Sequence, residues 1–273
     1  MIITPESTHH VRIDTERGLV YKTSTENNPN YGKFLRELAV YTTMEKTAMA
    51  NGDTPKVHVD NDSHTITVPY HGAGRAPRMG DEVSIGLELQ HLYSTLAQAH
   101  TSGELHLHAI DDGMDAIVDN RCHATVFAQI FDQNSRGVKR IMDAWRENPY
   151  VSDRGGFPVR VAHGDLAPRN MIIGDDDVVH LIDFESVCVA PTRFDVSSLA
   201  LNAARAGGEG KRFADHLVRQ GFVDSECVRY KVATSVTHRY WRDGYDAAVK
   251  QLGGDVGWMS RHGYAFDTCG LDL

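Results

Sequence analysis

The residues whose types point most directly to chemistry are His163, Asp165, Asn170 and Asp183, which lie within one short part of the sequence. An Asp can accept the proton of a hydroxyl nucleophile. An Asn and a second Asp supply the hard oxygen ligands that Mg²⁺ takes up beside phosphate groups. Together these residue types are typical of phosphoryl transfer, provided that the fold brings them to one place.

A predicted β-hairpin is the element that would bring them together. Two apolar runs, residues 171–173 and 178–182, are joined by a Gly-Asp-Asp-Asp turn, a pattern that favours two antiparallel strands. Such a hairpin places Asn170 and Asp183 at one edge although thirteen positions separate them. In the alternative interpretation the loop residues are ordinary turn formers and the acids are solvated. We favour a functional edge because the two acids and the Asn occur together around the hairpin.

The motifs HGDLAPRN and LIDFE resemble the catalytic and metal loops of the aminoglycoside phosphotransferase and choline kinase family. This resemblance implies that Asp165 is the catalytic base, that Asn170 and Asp183 are the Mg²⁺ ligands and that His163 braces the loop. It also implies an α+β, bilobal protein-kinase-like fold. Its N-lobe would be a small antiparallel sheet with one helix, and its larger C-lobe would be mainly helical.

The first part of the chain is predicted to be a strand-rich nucleotide lobe. Short strands are expected near residues 10–13 and 19–22, with two more after residue 54 and a helix over residues 32–50. The expected organisation is a nucleotide lobe over residues 1–70, a hinge over 71–80 and a helical C-lobe over 81–273. That C-lobe would carry the catalytic loop, the metal loop and the acceptor pocket.

Lys22 closes the second of these strands and precedes a helix that bears two acidic candidates. In kinase-like folds a strand lysine at this place contacts the α- and β-phosphates of the nucleotide and is held by a helix glutamate. We expect Glu37 to be the partner of Lys22. Glu45 also falls on the predicted buried side of the helix and is the competing partner.

No glycine-rich phosphate loop of the GxGxxG or GxxxxGK[ST] type occurs in the first forty residues. Residues 4–8 would then cover the phosphates, with Ser7 and Thr8 as the hydroxyl donors. The Gly- and Pro-rich stretch that follows the last predicted strand suggests the hinge, and backbone groups near Pro69, Tyr70 and His71 are expected to face the adenine.

The rest of the chain is predicted to be mainly helical. A helix should begin after Asp81, as its cap, and others should cover residues 123–147, 211–220 and 224–252. Residues 104–150 match no motif and are expected to form a substrate-specific insert. By resemblance Asp195 supports the catalytic loop, although a simple helix cap predicts the same residue.

Composition limits the class of protein. The 273 residues are 41% hydrophobic and 24% charged, as in ordinary globular proteins, and the net charge of −9 argues against a nucleic-acid-binding surface. The four cysteines form no CxxC pair, which favours reduced thiols in the cytoplasm over a zinc site or disulfides. No apolar run approaches the roughly 18 residues of a membrane span, and the first residues show no basic region followed by an apolar run, so we do not expect an exported protein. Neither a membrane nor a nucleic acid is an expected partner.

The predicted function is transfer of the γ-phosphoryl group of ATP or GTP, with Mg²⁺, to a hydroxyl of a small molecule. Because the chain is acidic, the expected acceptor carries positive charge, as an aminoglycoside-like or other amine-bearing alcohol would. The acidic candidates for holding it are Glu185, Asp112, Asp115, Asp267 and Asp272.

Two alternatives remain open at this stage. A protein Ser/Thr kinase would carry the same groups, but it would also need a long segment closed by Ala-Pro-Glu, and here Ala190-Pro191 is followed by Thr192. A catalytically inactive nucleotide-binding regulator is the other alternative. It is favoured by the missing glycine loop and opposed by the presence of all four polar motif residues.

Overall fold

The computed structural model describes residues 2–3, 9–28, 30–52, 56–72, 74–107, 159–174 and 177–264. The strands are β1 (Ile2–Ile3), β2 (His10–Asp14), β3 (Leu19–Thr23), β4 (His58–Asp60), β5 (Thr65–Pro69), β6 (Val159–Ala162), β7 (Met171–Ile173), β8 (Val179–Leu181) and β9 (Cys188–Pro191). The helices are α1 (Tyr31–Ala50), α2 (Glu82–Ser102), α3 (Phe194–Ala206), α4 (Gly208–Arg219), α5 (Ser225–Asp243) and α6 (Tyr245–Arg261).

The chain divides into two compact units. The first comprises Met1–Ala76, Gly80–Leu107 and Arg160–Cys188, and the second comprises Pro77–Met79, His108–Val159 and Val189–Leu273. No helix within the described ranges is both long and apolar enough to cross a lipid bilayer.

The first unit contains an antiparallel five-stranded sheet with the strand order β1-β2-β3-β5-β4. β2 and β3 form a hairpin whose turn contains Gly18 at φ 65°, a backbone conformation that glycine adopts without steric cost. β3 lies in the middle of the sheet, and Lys22 is paired there between Val11 and Ile66. The strands predicted near residues 10–13 and 19–22 are confirmed.

Helix α1 buries one face, as its hydrophobic spacing predicted. Phe34, Leu38 and Tyr41 recur at steps of three and four residues and are buried, which is the pattern of an amphipathic helix. Glu37 lies on the same buried face and is only 1% exposed. The helix therefore carries a carboxyl group into the interior, where it needs a partner.

The predicted hairpin is present as β7 and β8, paired antiparallel in the register Met171↔Leu181 and Ile173↔Val179. Those four side chains are buried, so one face of this short hairpin is held in the core of the unit.

Arg75, in the segment between β5 and α2, also holds the hairpin in place. The Arg75 N–H donates to the carbonyl of Ile173 at 3.1 Å. The Arg75 guanidinium pairs with both oxygens of Asp81 at 2.6 and 2.7 Å and with Asp177 at 2.5 Å. Asp81 occupies the N-cap position of α2, as predicted, but its side chain makes no capping bond to the helix. Its carboxylate pairs with Arg75 instead.

The second unit is built from α3, α4, α5 and α6 in the described residues. Phe213, Leu199 and Val228 are among its fully buried side chains. The single helix predicted over residues 224–252 is wrong, because the chain breaks at Gly244, with φ 87°, and continues as α6 to Arg261. The insert helix predicted over residues 123–147 lies outside the described residues, as does the predicted insert from residue 108 onward.

An ion pair joins two helices of this unit. Arg205 of α3 donates to both oxygens of Asp255 of α6 at 2.8 and 2.6 Å, and to the Ser235 hydroxyl of α5 at 2.7 Å. Asp255 is only 2% exposed, so it depends on Arg205 for charge compensation.

We predict that Arg205→Met lowers the free energy of unfolding by about 3 to 5 kcal/mol, because it leaves a buried carboxylate without its cation. Urea denaturation provides the measurement. Arg212→Met is the matched control, since Arg212 pairs with Glu209 on the surface of α4 and its loss should change the free energy by about 1 kcal/mol or less. Equal effects of the two substitutions would contradict the structural role given to Arg205.

Candidate active site

A three-membered ion cluster stands at the centre of the first unit. The Lys22 ammonium of β3 lies 2.5 Å from the Glu37 carboxylate of α1 and 3.1 Å from that of Asp183. Glu45, the competing candidate, faces elsewhere: it lies 3.0 Å from His58 and accepts the Val59 N–H at 3.3 Å. The structure thus pairs Lys22 with Glu37 and adds Asp183, from 161 positions along the chain.

Burial and pairing act in opposite directions on this cluster. Burial raises the pKa of Glu37 to about 6, although the nearby Lys22 ammonium lowers it. For Lys22 burial disfavours the ammonium, but the carboxylates of Glu37 and Asp183 outweigh it and raise the pKa of Lys22. Both directions leave an ionised Lys22–Glu37 pair at neutral pH, in agreement with their 2.5 Å separation.

Asp183 is held in an unusual backbone conformation directly after β8. Its φ and ψ of 68° and 62° lie in the left-handed region, which costs about 1 to 2 kcal/mol for a residue with a side chain. The next residue, Phe184, is buried and packs edge-on against Tyr41 of α1, with ring centroids 5.1 Å apart. The buried Phe184 anchors the turn, while the Asp183 side chain remains 36% exposed and accessible to a ligand.

The predicted catalytic loop touches the metal loop through backbone atoms. The buried His163 ring donates from Nε2 to the carbonyl of Ile182 at 3.0 Å and so joins this loop to the residue directly before Asp183. At Gly164, with φ 82°, an added Cβ would lie 1.9 Å from the carbonyl oxygen of Ser186. Only glycine fits there, so this residue is more than a turn former.

Asn170 is positioned by the same loop. Its side-chain Nδ2 donates to the backbone carbonyl of Asp165 at 2.8 Å, and its own carbonyl accepts the Ile182 N–H at 3.0 Å. Within the described part of the chain the Oδ1 atom of Asn170 makes no hydrogen bond. It is therefore the atom of this amide that can face a cation.

Asp165 has a partner that the sequence reasoning missed. The Arg169 guanidinium lies 2.5 Å from the Asp165 carboxylate, and Arg169 is largely exposed. Arg169 follows Asp165 by four positions, but Asp165 lies outside the 3-10 helix Pro168–Asn170, so helical spacing did not predict the pair. The predicted base, Asp165, therefore forms an ion pair with Arg169 in this structure.

The residues present fit a divalent cation that takes most of its ligands from phosphate and water. Asn170 and Asp183 offer hard oxygen atoms, the donor type that Mg²⁺ prefers with one or two protein ligands. Among the described residues there is no group of three or more His, Cys, Asp or Glu side chains that could hold a metal alone.

Of the residues expected to contact the nucleotide base and the phosphates, only some lie within the described ranges. Pro69 ends β5, the Tyr70 N–H donates to the carbonyl of Gly18 at 2.9 Å, and the His71 ring stacks on His180 with centroids 3.5 Å apart. The Tyr70 amide is therefore already engaged. The predicted phosphate-covering residues 4–8, with Ser7 and Thr8, lie outside the described residues.

A second unforeseen contact ties the start of β2 to the metal loop. His9 is buried, with Nδ1 3.1 Å from the Ser24 hydroxyl and Nε2 3.5 Å from Glu185. Lys33 also approaches Glu185, at 3.7 Å. Glu185, which the sequence offered as an acceptor ligand, thus lies between the Lys33 ammonium and the His9 ring, whose pKa is lowered by burial.

The structure does not describe the other acidic residues that are candidates for binding the acceptor. Asp112, Asp115, Asp267 and Asp272 lie outside the described ranges. Asp195 lies in the first turn of α3, in the second unit, where it is 1% exposed.

The geometry can be compared with known proteins. A family model described as the phosphotransferase enzyme family matches residues 30–230, well over half of the chain. No sequence among the curated proteins matches this chain.

Three solved structures show the same fold at low sequence identity. Amicoumacin kinase hAmiN in complex with AMP-PNP, Ca²⁺ and Ami has a TM-score of 0.58 and 12% identity, over 95% of this chain and 88% of that chain. The GDP complex of aminoglycoside 2'-phosphotransferase-IIIa has a TM-score of 0.57 and 13% identity, over 93% and 91%. Choline kinase LicA from Streptococcus pneumoniae has a TM-score of 0.52 and 13% identity, over 95% and 92%. The predicted α+β, protein-kinase-like fold is confirmed.

We predict that the Glu37 carboxyl titrates near pH 6, being neutral below that pH and ionised above it. ¹³C NMR of the labelled carboxyl, assigned with Glu37→Gln, measures this directly. Lys22→Met should move the titration to higher pH because it removes the cation that stabilises the carboxylate. Lys46→Met, at an exposed position of the same helix, should leave it unchanged. A titration near the unperturbed value of about 4.3 would show that pairing, not burial, dominates.

Proposed function

We propose that this chain, which belongs to the phosphotransferase enzyme family, transfers the γ-phosphoryl group of ATP or GTP to a hydroxyl of a small molecule. The observation that carries the proposal is the bridge from Lys22 to both Glu37 and Asp183. On this proposal, the Lys22 ammonium that binds phosphate would lie beside the Asp183 carboxylate that binds the metal. Two structural neighbours are complexes with GDP and with AMP-PNP and Ca²⁺. These complexes support the proposal that this chain binds a nucleotide with a divalent ion.

On this proposal the residues of the ion cluster bind and orient the nucleotide. Lys22 contacts its α- and β-phosphates, and Glu37 keeps the ammonium in place through the 2.5 Å pair. Ser7 and Thr8 would cover the phosphates. Backbone near Pro69, Tyr70 and His71 would contact the base, with the Tyr70 N–H excluded because it is bound to Gly18.

Asn170 and Asp183 would hold Mg²⁺. A bound Mg²⁺ neutralises charge on the phosphate oxygens during transfer. The chain's own contribution is to fix the two ligands: Asn170 through its bonds to Asp165 and Ile182, and Asp183 through its left-handed backbone. Neither ligand has to reorganise when the nucleotide arrives.

Asp165 would accept the proton of the acceptor hydroxyl. In the structure its carboxylate is paired with Arg169, which orients it but also neutralises part of its charge. The acceptor hydroxyl must approach the carboxylate beside this guanidinium. His163 acts through the loop rather than on the substrate, by holding the backbone at Ile182.

The acceptor is proposed to carry positive charge, as an aminoglycoside-like or other amine-bearing alcohol would. The net charge of −9 supports this, since it favours cations at the surface. We also retain as proposals the nucleotide lobe over residues 1–70, the hinge over 71–80, the helical C-lobe over 81–273 and a cytoplasmic location.

The first test concerns the nucleotide. Mg²⁺ with ATP or GTP should stabilise the protein against thermal unfolding, by about 2.7 kcal/mol at a hundredfold excess over its Kd. Asp183→Ala should abolish the part of this shift that depends on Mg²⁺, whereas Asp165→Asn should keep it, because Asp165 is not assigned to the metal. If the two variants behave alike in a thermal-shift titration, the assigned roles are wrong.

The second test concerns the base. Asp165→Asn keeps the shape of the side chain and should lower kcat by at least about a hundredfold with little change in nucleotide affinity, because general-base help is worth about 10² to 10⁴. Nucleotide consumption with the acceptor reports the effect, and Asp62→Asn on the exposed turn after β4 is the matched control. Turnover within a few-fold of wild type would remove Asp165 from the mechanism.

The third test concerns the acceptor. Alcohols that differ only in their number of amines should show affinity that rises with charge and falls with salt, because screening weakens attraction between separated charges. A neutral sugar or nucleoside that works best would refute the cationic acceptor and leave the phosphotransferase standing. Nucleotide binding without turnover on any acceptor would instead indicate a regulator.

A further inference from the structure

The first unit contains a cavity of about 500 Å³ on the side of α1 towards α2 and β8. Its lining combines apolar side chains, among them Met44, Ala48, Val68, Ile182 and Phe184, with polar ones that include Lys56 and His91. A volume of this size lies within the range of small-molecule sites. The cavity is therefore large enough to hold a compact organic ligand.

This cavity is distinct from the ion cluster. No residue of β2 or β3 lines it, and Lys22, Glu37, Asp183, Asn170 and Asp165 are absent from its walls. Tyr41 and Phe184 form part of the wall and pack edge-on against each other at 5.1 Å. A ligand here would lie behind this aromatic pair and would not touch the groups assigned to the phosphates.

Two polar side chains in the cavity wall lack partners within the described part of the chain. Glu88 of α2 is half-buried and makes no hydrogen bond or ion pair there. Tyr41 is 5% exposed, and its hydroxyl likewise makes no hydrogen bond to a described residue. The half-buried Glu88 carboxylate is therefore available to a ligand that enters the cavity.

Of the two carboxylates in the cavity wall, Glu88 is the one whose oxygens accept no hydrogen bond from a described residue. Glu45 also lines the cavity, but His58 and the Val59 N–H already occupy its oxygens. Burial raises the pKa of Glu88, while His91 and Lys56 lower it from a distance. A nitrogen that donates a hydrogen bond with positive charge would satisfy this carboxylate best.

We propose that this cavity is a second small-molecule site, and that it binds an apolar aromatic amine whose body contacts the aliphatic lining and whose protonated nitrogen donates to Glu88. Pro69 and His71, which are proposed to contact the nucleotide base, form part of the cavity wall. Glu88 and the aliphatic lining are not assigned to the proposed transfer of a phosphoryl group, and the existence of the site does not depend on that activity.

The probe is 2-phenylethylamine, with 2-phenylethanol as the uncharged analogue of the same skeleton. Binding to the full-length protein is measured by NMR titration at pH 8, where the probe is protonated. The amine should bind wild type at least tenfold more tightly than the alcohol. Glu88→Gln should remove that preference, whereas Glu104→Gln, an exposed acid beyond the end of α2, should keep it.

A second variant tests the cavity itself. Ala48→Trp fills space in the wall of the cavity and should weaken both probes at least tenfold. It also separates this site from an acceptor site that accepts amines, because Ala48 and Glu88 are not assigned there. Thermal unfolding of each variant, within a few degrees of wild type, establishes that it is folded.

Three outcomes would overturn the proposal. The first is a wild-type protein that does not bind 2-phenylethylamine at millimolar concentration, and the second is a Glu88→Gln variant that binds it as wild type does. The third is competitive displacement of the probe by Mg²⁺-ATP together with loss of nucleotide affinity in Ala48→Trp, which would make the cavity part of the nucleotide site. None of these three outcomes depends on turnover. The binding experiment therefore tests the second site even if the chain is not a phosphotransferase.

Discussion

The arrangement of the first unit depends on one ammonium group shared by two carboxylates. Lys22 comes from the middle strand of the sheet, Glu37 from the buried face of α1 and Asp183 from the turn after the hairpin. A carboxylate as buried as Glu37 is tolerated only next to a cation. The sheet, the helix and the hairpin therefore cannot shift independently, and the proposed phosphate ligand and metal ligand are placed relative to each other by the same contact.

Backbone contacts extend this constraint to the proposed base. His163 donates to the carbonyl of Ile182, and the N–H of Ile182 donates to the carbonyl of Asn170. The loop and the hairpin are thus joined through a residue directly before Asp183, and Gly164 allows their backbones to approach as closely as they do. The catalysis that we propose acts by positioning and would then depend on these hydrogen bonds. Substitution of a surface side chain cannot remove them.

The sequence predicted those parts of the site that depend on local pattern. Alternation and turn residues identified the strands, and helical spacing brought Glu37 near the buried face of its helix, where the structure pairs it with Lys22. Contacts between distant segments were not predictable, because any of several cations could have met Asp81, and only the fold selects Arg75. The break at Gly244 was missed for a related reason: glycine inside a helical pattern is often tolerated, and hydrophobic spacing continues on both sides of it.

Two polar groups on the buried face of helix α1 differ in their hydrogen-bond partners. Glu37 finds a cation, whereas the Tyr41 hydroxyl, one turn later, finds no partner among the described residues. The ring of Tyr41 packs on Phe184. Burial raises the pKa of the Tyr41 hydroxyl, and the carboxylates of Glu37 and Asp183 raise it further, so the hydroxyl lies within electrostatic reach of the ion cluster. The same side chain forms part of the wall of the adjoining cavity. Tyr41 therefore borders both the proposed phosphate and metal ligands and the cavity, and a substitution that changes its packing would disturb both.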